Sequence, residues 1–301
     1  MSITVVGSSA FDDIETPRGS RKGIVGGSCI YFSLAASFKA KSNIVSVVGK
    51  DFPKKIFKIL NDKSISTDGL IEQEGKTFSW GGKYNSFSED PVTSFTNLNV
   101  FESFSPSIPE SYKENSSILF LANIDPVLQN KVVNLYNRPR IIGLDTMNFW
   151  IQSKRKSLIK VLKRVDILTI NELELRLLGR KKSLNDCLNV VTNELGIKYL
   201  IVKRGSGGSL LVTKNAFHWI PSYPFCDVVD PTGAGDSYAG ALFSSLDISS
   251  TINTKSIIES MVYASALSSF TIEKFGVENL INLRKKDILA RERELKKIAR
   301  V

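Results

Sequence analysis

The sequence predicts an α/β fold, with a mostly parallel central sheet flanked by helices and a small antiparallel β insertion. Two observations carry that expectation. From residue 117 onward, short apolar runs at 118–122, 141–145 and 167–170 alternate with helix-period segments at 127–136 and 157–164. Such runs are what strands of a βαβ sheet look like when both of their faces are buried. Between residues 65 and 101 the pattern changes. Residues 77–84 alternate, with Phe78, Trp80 and Tyr84 on one side, and the turn-rich 85–91 precedes another strand-like stretch. That is the pattern of antiparallel β structure. At 301 residues, the chain is long enough to form one large domain with a sizeable core.

In chain order, residues 3–7 form a buried-type strand that runs into Ser8-Ser9-Ala10-Phe11-Asp12-Asp13. Loops at this end of a parallel strand carry ligand contacts. Residues 14–25 suggest a hairpin about Arg18-Gly19-Ser20, and Gly26-Gly27-Ser28 opens a small-residue helix containing Tyr31, which fits either a core aromatic or a ligand contact. A strand at 44–48 and a helix at 54–60 follow. Polar residues stand at or just beyond the ends of the later strands: Asn123 and Asp125, Asp145 and Asn148, Asn171 and Glu174. Strand 199–202 leads through Lys203-Arg204-Gly205 into a hairpin turn, helix 257–270 follows, and Gly276 lies in a final turn. His218 sits in a strand-like run with no partner motif and reads as structural.

The densest chemistry lies in Asp230-Pro231-Thr232-Gly233-Ala234-Gly235-Asp236. Backbone N–H groups of Gly233, Ala234, Gly235 and Asp236, at the start of a helix pattern, can converge on one anion. A tight turn with a first-turn acid explains the same letters. A carboxylate beside a phosphate site, however, repels the group the turn invites. That conflict points to Asp236 taking a proton from a hydroxyl that attacks a phosphoryl group. At a helix start this carboxylate is expected to stay ionised near neutral pH.

This run, continued by Ser237-Tyr238-Ala239-Gly240, resembles the C-terminal motif of the ribokinase-like (PfkB) carbohydrate and nucleoside kinases. Gly26-Gly27 resembles the family's N-terminal motif, and Asn171-Glu172-Leu173-Glu174 its Asn-x-x-Glu motif. The resemblance implies a ribokinase-like fold, a single kinase domain over 1–301 with a β lid from about 12–25 and 65–101. It implies ATP-dependent phosphotransfer to an alcohol of a sugar or sugar-containing small molecule. A nucleoside kinase of the adenosine kinase kind is the alternative. By the same resemblance Asp236 is the catalytic base, and Asp12, Gly26, Gly27, Trp80 and Asn123 face the substrate; Tyr31 is a further candidate, through its own ring and hydroxyl. Asn171, Gly205, Gly233, Gly235 and Gly276 face the nucleotide. Glu174 organises the water shell of magnesium, which is chemically apt because that ion keeps its waters. Asp230 and Thr232 are candidate ligands of a monovalent cation such as K+, and a homodimer through the lid is implied. Tyr31 departs from the family, standing where many sugar kinases have asparagine.

Composition narrows the other classes. The net charge is +10, and residues 284–300 supply half of it, with eight basic side chains against three acidic ones. Ile288, Leu295 and Ala299 share one face there, the pattern of a packed terminal helix with a solvated charged side rather than a nucleic-acid surface. The basic stretch 154–164, with Leu158, Val161 and Leu162 at helical spacing, reads the same way. A silent sugar-binding protein is opposed by the intact Asp236 turn. No apolar run has membrane-spanning length, and the opening residues read as a strand rather than a signal peptide. Cys29, Cys187 and Cys226 have no metal-ligand spacing and fit a reducing compartment. The expectation is a cytoplasmic protein that meets no membrane or nucleic acid.

Overall fold

A computed structural model describes residues 2–87, 89–136 and 139–300. In chain order its strands are β1 (Ser2–Val6), β2 (Ala10–Thr16), β3 (Gly19–Gly26), β4 (Ser42–Gly49), β5 (Ile65–Gln73), β6 (Phe78–Lys83) and β7 (Val92–Asn97). Then come β8 (Ser116–Leu121), β9 (Ile141–Asp145), β10 (Ile167–Asn171), β11 (Tyr199–Lys203), β12 (Ser209–Val212) and β13 (Phe217–Ile220). Nine of these form one sheet in the order β13-β12-β11-β10-β9-β8-β1-β4-β5. It is parallel except at β12 and β13.

Alternate residues of the central strands feed two cores. Ile3, Val5, Ile118 and Phe120 point into one, packed with helices Ser28–Ala36, Ala234–Asp247, Thr254–Thr271 and Lys285–Ala299. Val6, Leu119 and Leu121 point into the other, under helices Pro126–Leu135, Arg155–Leu162 and Glu172–Gly179. Both faces are therefore covered, which is why these strands read as continuous apolar runs. In the terminal helix Lys285–Ala299, Ile288 and Leu295 are buried while the basic side chains stay outside or half-buried, and Leu158, Val161 and Leu162 are buried in the second basic stretch. Among the described residues no helix is long and apolar enough to cross a membrane.

The remaining strands form a second sheet, β3-β2-β6-β7, in which β2 pairs antiparallel with β3 and parallel with β6. It is smaller than the sequence suggested. Residues 65–73 were expected in the insertion, but β5 is the edge strand of the large sheet and pairs parallel with β4. Burial explains the difference, since Ile65 and Leu70 join the large core and only residues after 77 leave it. Ser88, in the turn-rich link between β6 and β7, lies outside the described residues.

Candidate active site

Strand order reverses at β1, with β4 and β5 on one side and β8 to β11 on the other. The crevice beyond the carboxyl ends of β1 and β8 is where an open parallel sheet takes a ligand. Two helices begin near it, Ser28–Ala36 after Gly27 and Ala234–Asp247 after Gly233. They pack with almost no gap, because a side chain on Gly240 would strike the Phe32 carbonyl.

Gly233 is left-handed, with φ 74° and ψ 0°, at the third position of a turn in which the Ala234 N–H donates to Pro231 O at 3.2 Å. This is type II geometry, and it needs glycine there. The Ala234 amide is thus engaged by the turn, whereas the amides of Gly235 and Asp236 are first-turn donors left without a main-chain partner among the described residues. Asp230 fixes the loop from below. Its Oδ1 accepts from Thr232 N–H at 2.9 Å and its Oδ2 from Gly276 N–H at 3.0 Å. Gly276 therefore sits against Asp230, and against Ile24 of β3.

The Asp236 carboxyl is half-buried and pushed up to about 7, first by burial and then by Asp145, with Lys203 opposing. Burial thus opposes the ionisation near neutral pH that the helix start was expected to favour. Lys203 was not singled out from the sequence, where it reads only as the first letter of a turn. At the end of β11 it reaches past β10 to Asp145 at the end of β9, Nζ to Oδ2 2.6 Å. The same ammonium lies 3.0 Å from where a Cβ on Gly235 would stand. The alternation of strands and polar ends flags Asp145, but nothing local ties it to Lys203.

Asp12 faces this cluster from β2. It is buried, and its carboxyl is pushed up to about 8 by burial, then by Asp230 and Asp236. A side chain on Gly26 would land on the Asp12 carboxylate, so the glycine makes room for it. Tyr31 lies between the two glycine turns, its ring where a Gly233 side chain would be and near Gly26. It is 1% exposed, and its hydroxyl has no hydrogen-bond partner among the described residues. Burial, followed by Asp12, Asp230 and Asp236, pushes that hydroxyl well above the ordinary tyrosine range.

Trp80 stands directly opposite Asp12 in the β2–β6 register, which puts both side chains on one face of the small sheet. Its ring covers Gly82, and its Nε1 donates to Thr93 Oγ1 at 3.4 Å. The small sheet is pinned to the Asp230 loop by Tyr84 to Thr232 at 3.2 Å and by Thr16 donating to Val229 O at 2.9 Å.

Asn171 and Glu174 form a reciprocal cap on helix Glu172–Gly179, Asn171 Oδ1 accepting from Glu174 N–H and Glu174 Oε2 from Asn171 N–H, both at 2.8 Å. The Glu174 carboxyl is pushed up to about 8 by burial and then by Asp145. Gly205 occupies the open turn between β11 and β12, with nothing near its free face. Asn123 is held by its neighbours, accepting from Trp150 Nε1 at 3.0 Å and donating to Met147 Sδ at 3.1 Å.

A cytidine kinase of Thermococcus kodakarensis is 26% identical over 250 residues, which is 81% of this chain and 88% of that one. The nucleoside kinase structure of Methanocaldococcus jannaschii shares the fold, with TM-score 0.78, 22% identity and coverage of 98% and 99% of the two chains. A putative ribokinase II of E. coli, solved with ATP and Mg2+, does so with TM-score 0.78 and 19% identity over 97% and 99%. Residues 27–283, a span that runs from one glycine turn through the other, match the family described as pfkB family carbohydrate kinase, and the chain belongs to that family.

Proposed function

We propose that this ATP-dependent kinase transfers phosphate in the crevice between the two helix starts, from ATP with magnesium to a sugar hydroxyl, and that the favoured acceptor is the ribose of a nucleoside. The observation that carries the reading is Asp236 in the same first turn as the unfilled amides of Gly235 and Asp236. A phosphoryl group over those amides and an acceptor hydroxyl on that carboxylate are neighbours by construction. Asp236 takes the acceptor proton as the O–P bond forms, and the amides stabilise charge on the phosphoryl oxygens. Asp12 accepts hydrogen bonds from other hydroxyls of the acceptor. Trp80 offers a flat face to the ring beyond, and Gly26, Gly27, Tyr31 and Asn123 bound the pocket.

Buried Glu174, whose ionisation the neighbouring Asp145 makes costlier, fits a site that awaits positive charge. Magnesium arriving with the nucleotide would offset phosphate charge there, with Glu174 holding its waters and Asn171 and Gly205 beside the nucleotide. Asp230 and Thr232 are the groups a potassium ion would meet, and Gly276, placed with the nucleotide, is held beside them by Asp230; comparing rates in K+ and in choline tests that part. The nucleoside acceptor is favoured because relatives matched over most of both chains include a cytidine kinase and a nucleoside kinase. A dimer through the small sheet is part of the proposal and is tested by sedimentation.

Acceptor-dependent ADP release, measured over hexoses, pentoses and nucleosides, is expected to be highest for a nucleoside. A free sugar as the best acceptor would displace that choice, and no release with any acceptor would overturn the proposal. Glu174→Gln is expected to raise the magnesium needed for half-maximal rate about 10-fold. An unchanged magnesium titration would remove Glu174 from the metal's surroundings.

A further inference from the structure

Lys203 and the start of helix Ala234–Asp247 are both positive, yet they face each other. A helix N-terminus carries partial positive charge and favours anions, so an ammonium beside it has the wrong sign for stability. The ammonium is nevertheless held there, 3.0 Å from the vacant Cβ position of Gly235 and paired with Asp145 at 2.6 Å. The pair is largely buried, with side chains 19% and 8% exposed. Buried ion pairs contribute little net stability, because desolvation offsets their attraction. Burial works against the charge on Lys203, but Asp145, Glu174 and Asp236 together hold it above the ordinary lysine range. Two converging positive features fit an anion held between them.

We propose that Lys203 is a catalytic residue whose ammonium contacts the phosphoryl group in transit across the open face of Gly235, with Asp145 as the positioning residue that aims it. The inference rests on the phosphoryl-transfer reading above and adds a group to it. In the step concerned, the acceptor O–H gives its proton to Asp236 and the acceptor oxygen forms a bond to phosphorus. The bond from phosphorus to the ADP oxygen breaks, and its electron pair leaves with ADP. Lys203 keeps all its protons and offsets charge on the phosphoryl oxygens, as a compact point charge can.

Titration calorimetry with magnesium and either ADP or its β,γ-imido triphosphate analogue separates this role from a structural one. In Lys203→Met, affinity for the triphosphate analogue is expected to fall by about 10-fold to 100-fold, the scale of a charge-assisted contact, while ADP affinity stays within about 2-fold. Lys203→Arg is expected to regain part of the difference. Equal losses for both nucleotides, or none, overturn the inference and leave the kinase reading standing. A parent protein that binds neither nucleotide overturns both. Should Lys203→Met fail to fold, reductive methylation of the parent with peptide mass analysis decides: protection of Lys203 by the triphosphate analogue and not by ADP supports the contact, and equal protection removes it.

Discussion

The helices Ser28–Ala36 and Ala234–Asp247 both begin on a glycine with positive φ and no side-chain cap, and they differ in what their first amides do. At the first, Ser8 serves the incoming amides. Its hydroxyl accepts from Ser28 N–H at 3.2 Å and its carbonyl from Cys29 N–H at 2.9 Å. At the second, only the Ala234 amide is taken by the turn, and those of Gly235 and Asp236 stay open. Similar letters therefore give a closed helix start that fixes β1 to its helix and an open one that can hold an anion. The lesson is one of hydrogen-bond accounting, because a buried donor must find a partner and an unfilled one marks where a ligand supplies it.

The largest expected effect falls on the open start. Asp236→Asn keeps shape but cannot take a proton, so turnover should drop by about 100-fold to 10,000-fold, the scale of general-base catalysis. ATP affinity should persist, and a folded variant with parental turnover would break the distinction between the two starts.

Alanine at each start sharpens it. A Cβ on Gly27 would lie 2.7 Å from Ser8 O and 2.8 Å from Ala10 N, both main-chain atoms that cannot give way, at φ 92°. Gly27→Ala should cost about 2 kcal/mol or more in chemical denaturation. Gly235→Ala meets first the far end of the Lys203 side chain, at 3.0 Å, rather than a main-chain atom. It should unfold like the parent yet lose turnover, and equal stability losses at both sites would contradict the comparison.

The crowded carboxylates predict a smaller effect that depends on pH. Asp12 and Asp236 are raised from 3.8 to about 8 and about 7, and Glu174 from 4.5 to about 8. The folded state thus keeps these protons to higher pH than the unfolded chain. Their contribution to stability is fully present below about pH 4 and is lost as pH rises towards 8 in the ligand-free protein. Asp12→Asn should raise the melting temperature at pH 8 relative to parent and have little effect at pH 4, a difference that differential scanning calorimetry reads directly. The same rise in Asp236 places the acid limb of kcat/KM near pH 7, with activity increasing above it.

The mildest change is expected at the small sheet. Trp80→Ala should raise the acceptor KM about 10-fold, the scale of one lost aromatic contact, and leave nucleotide affinity as it was. Loss of nucleotide affinity with an unchanged acceptor KM would detach Trp80 from the acceptor side.

The sequence by itself determined the strands buried on both faces, the glycine helix start at residues 233–236 with Asp236 in its first turn, and the side of the small sheet shared by Phe78 and Trp80. Each of these is a local pattern, set by side-chain period or turn chemistry within about a dozen residues. Only the tertiary structure decided that β5 belongs to the large sheet and that Tyr31 fills the space between two turns two hundred residues apart in sequence. It alone set Asp236 near 7, and it alone brought Lys203 to Asp145 and Gly235. Burial and charge act through space, so residues at the ends of separate strands acquire their chemistry only when the sheet order makes them neighbours.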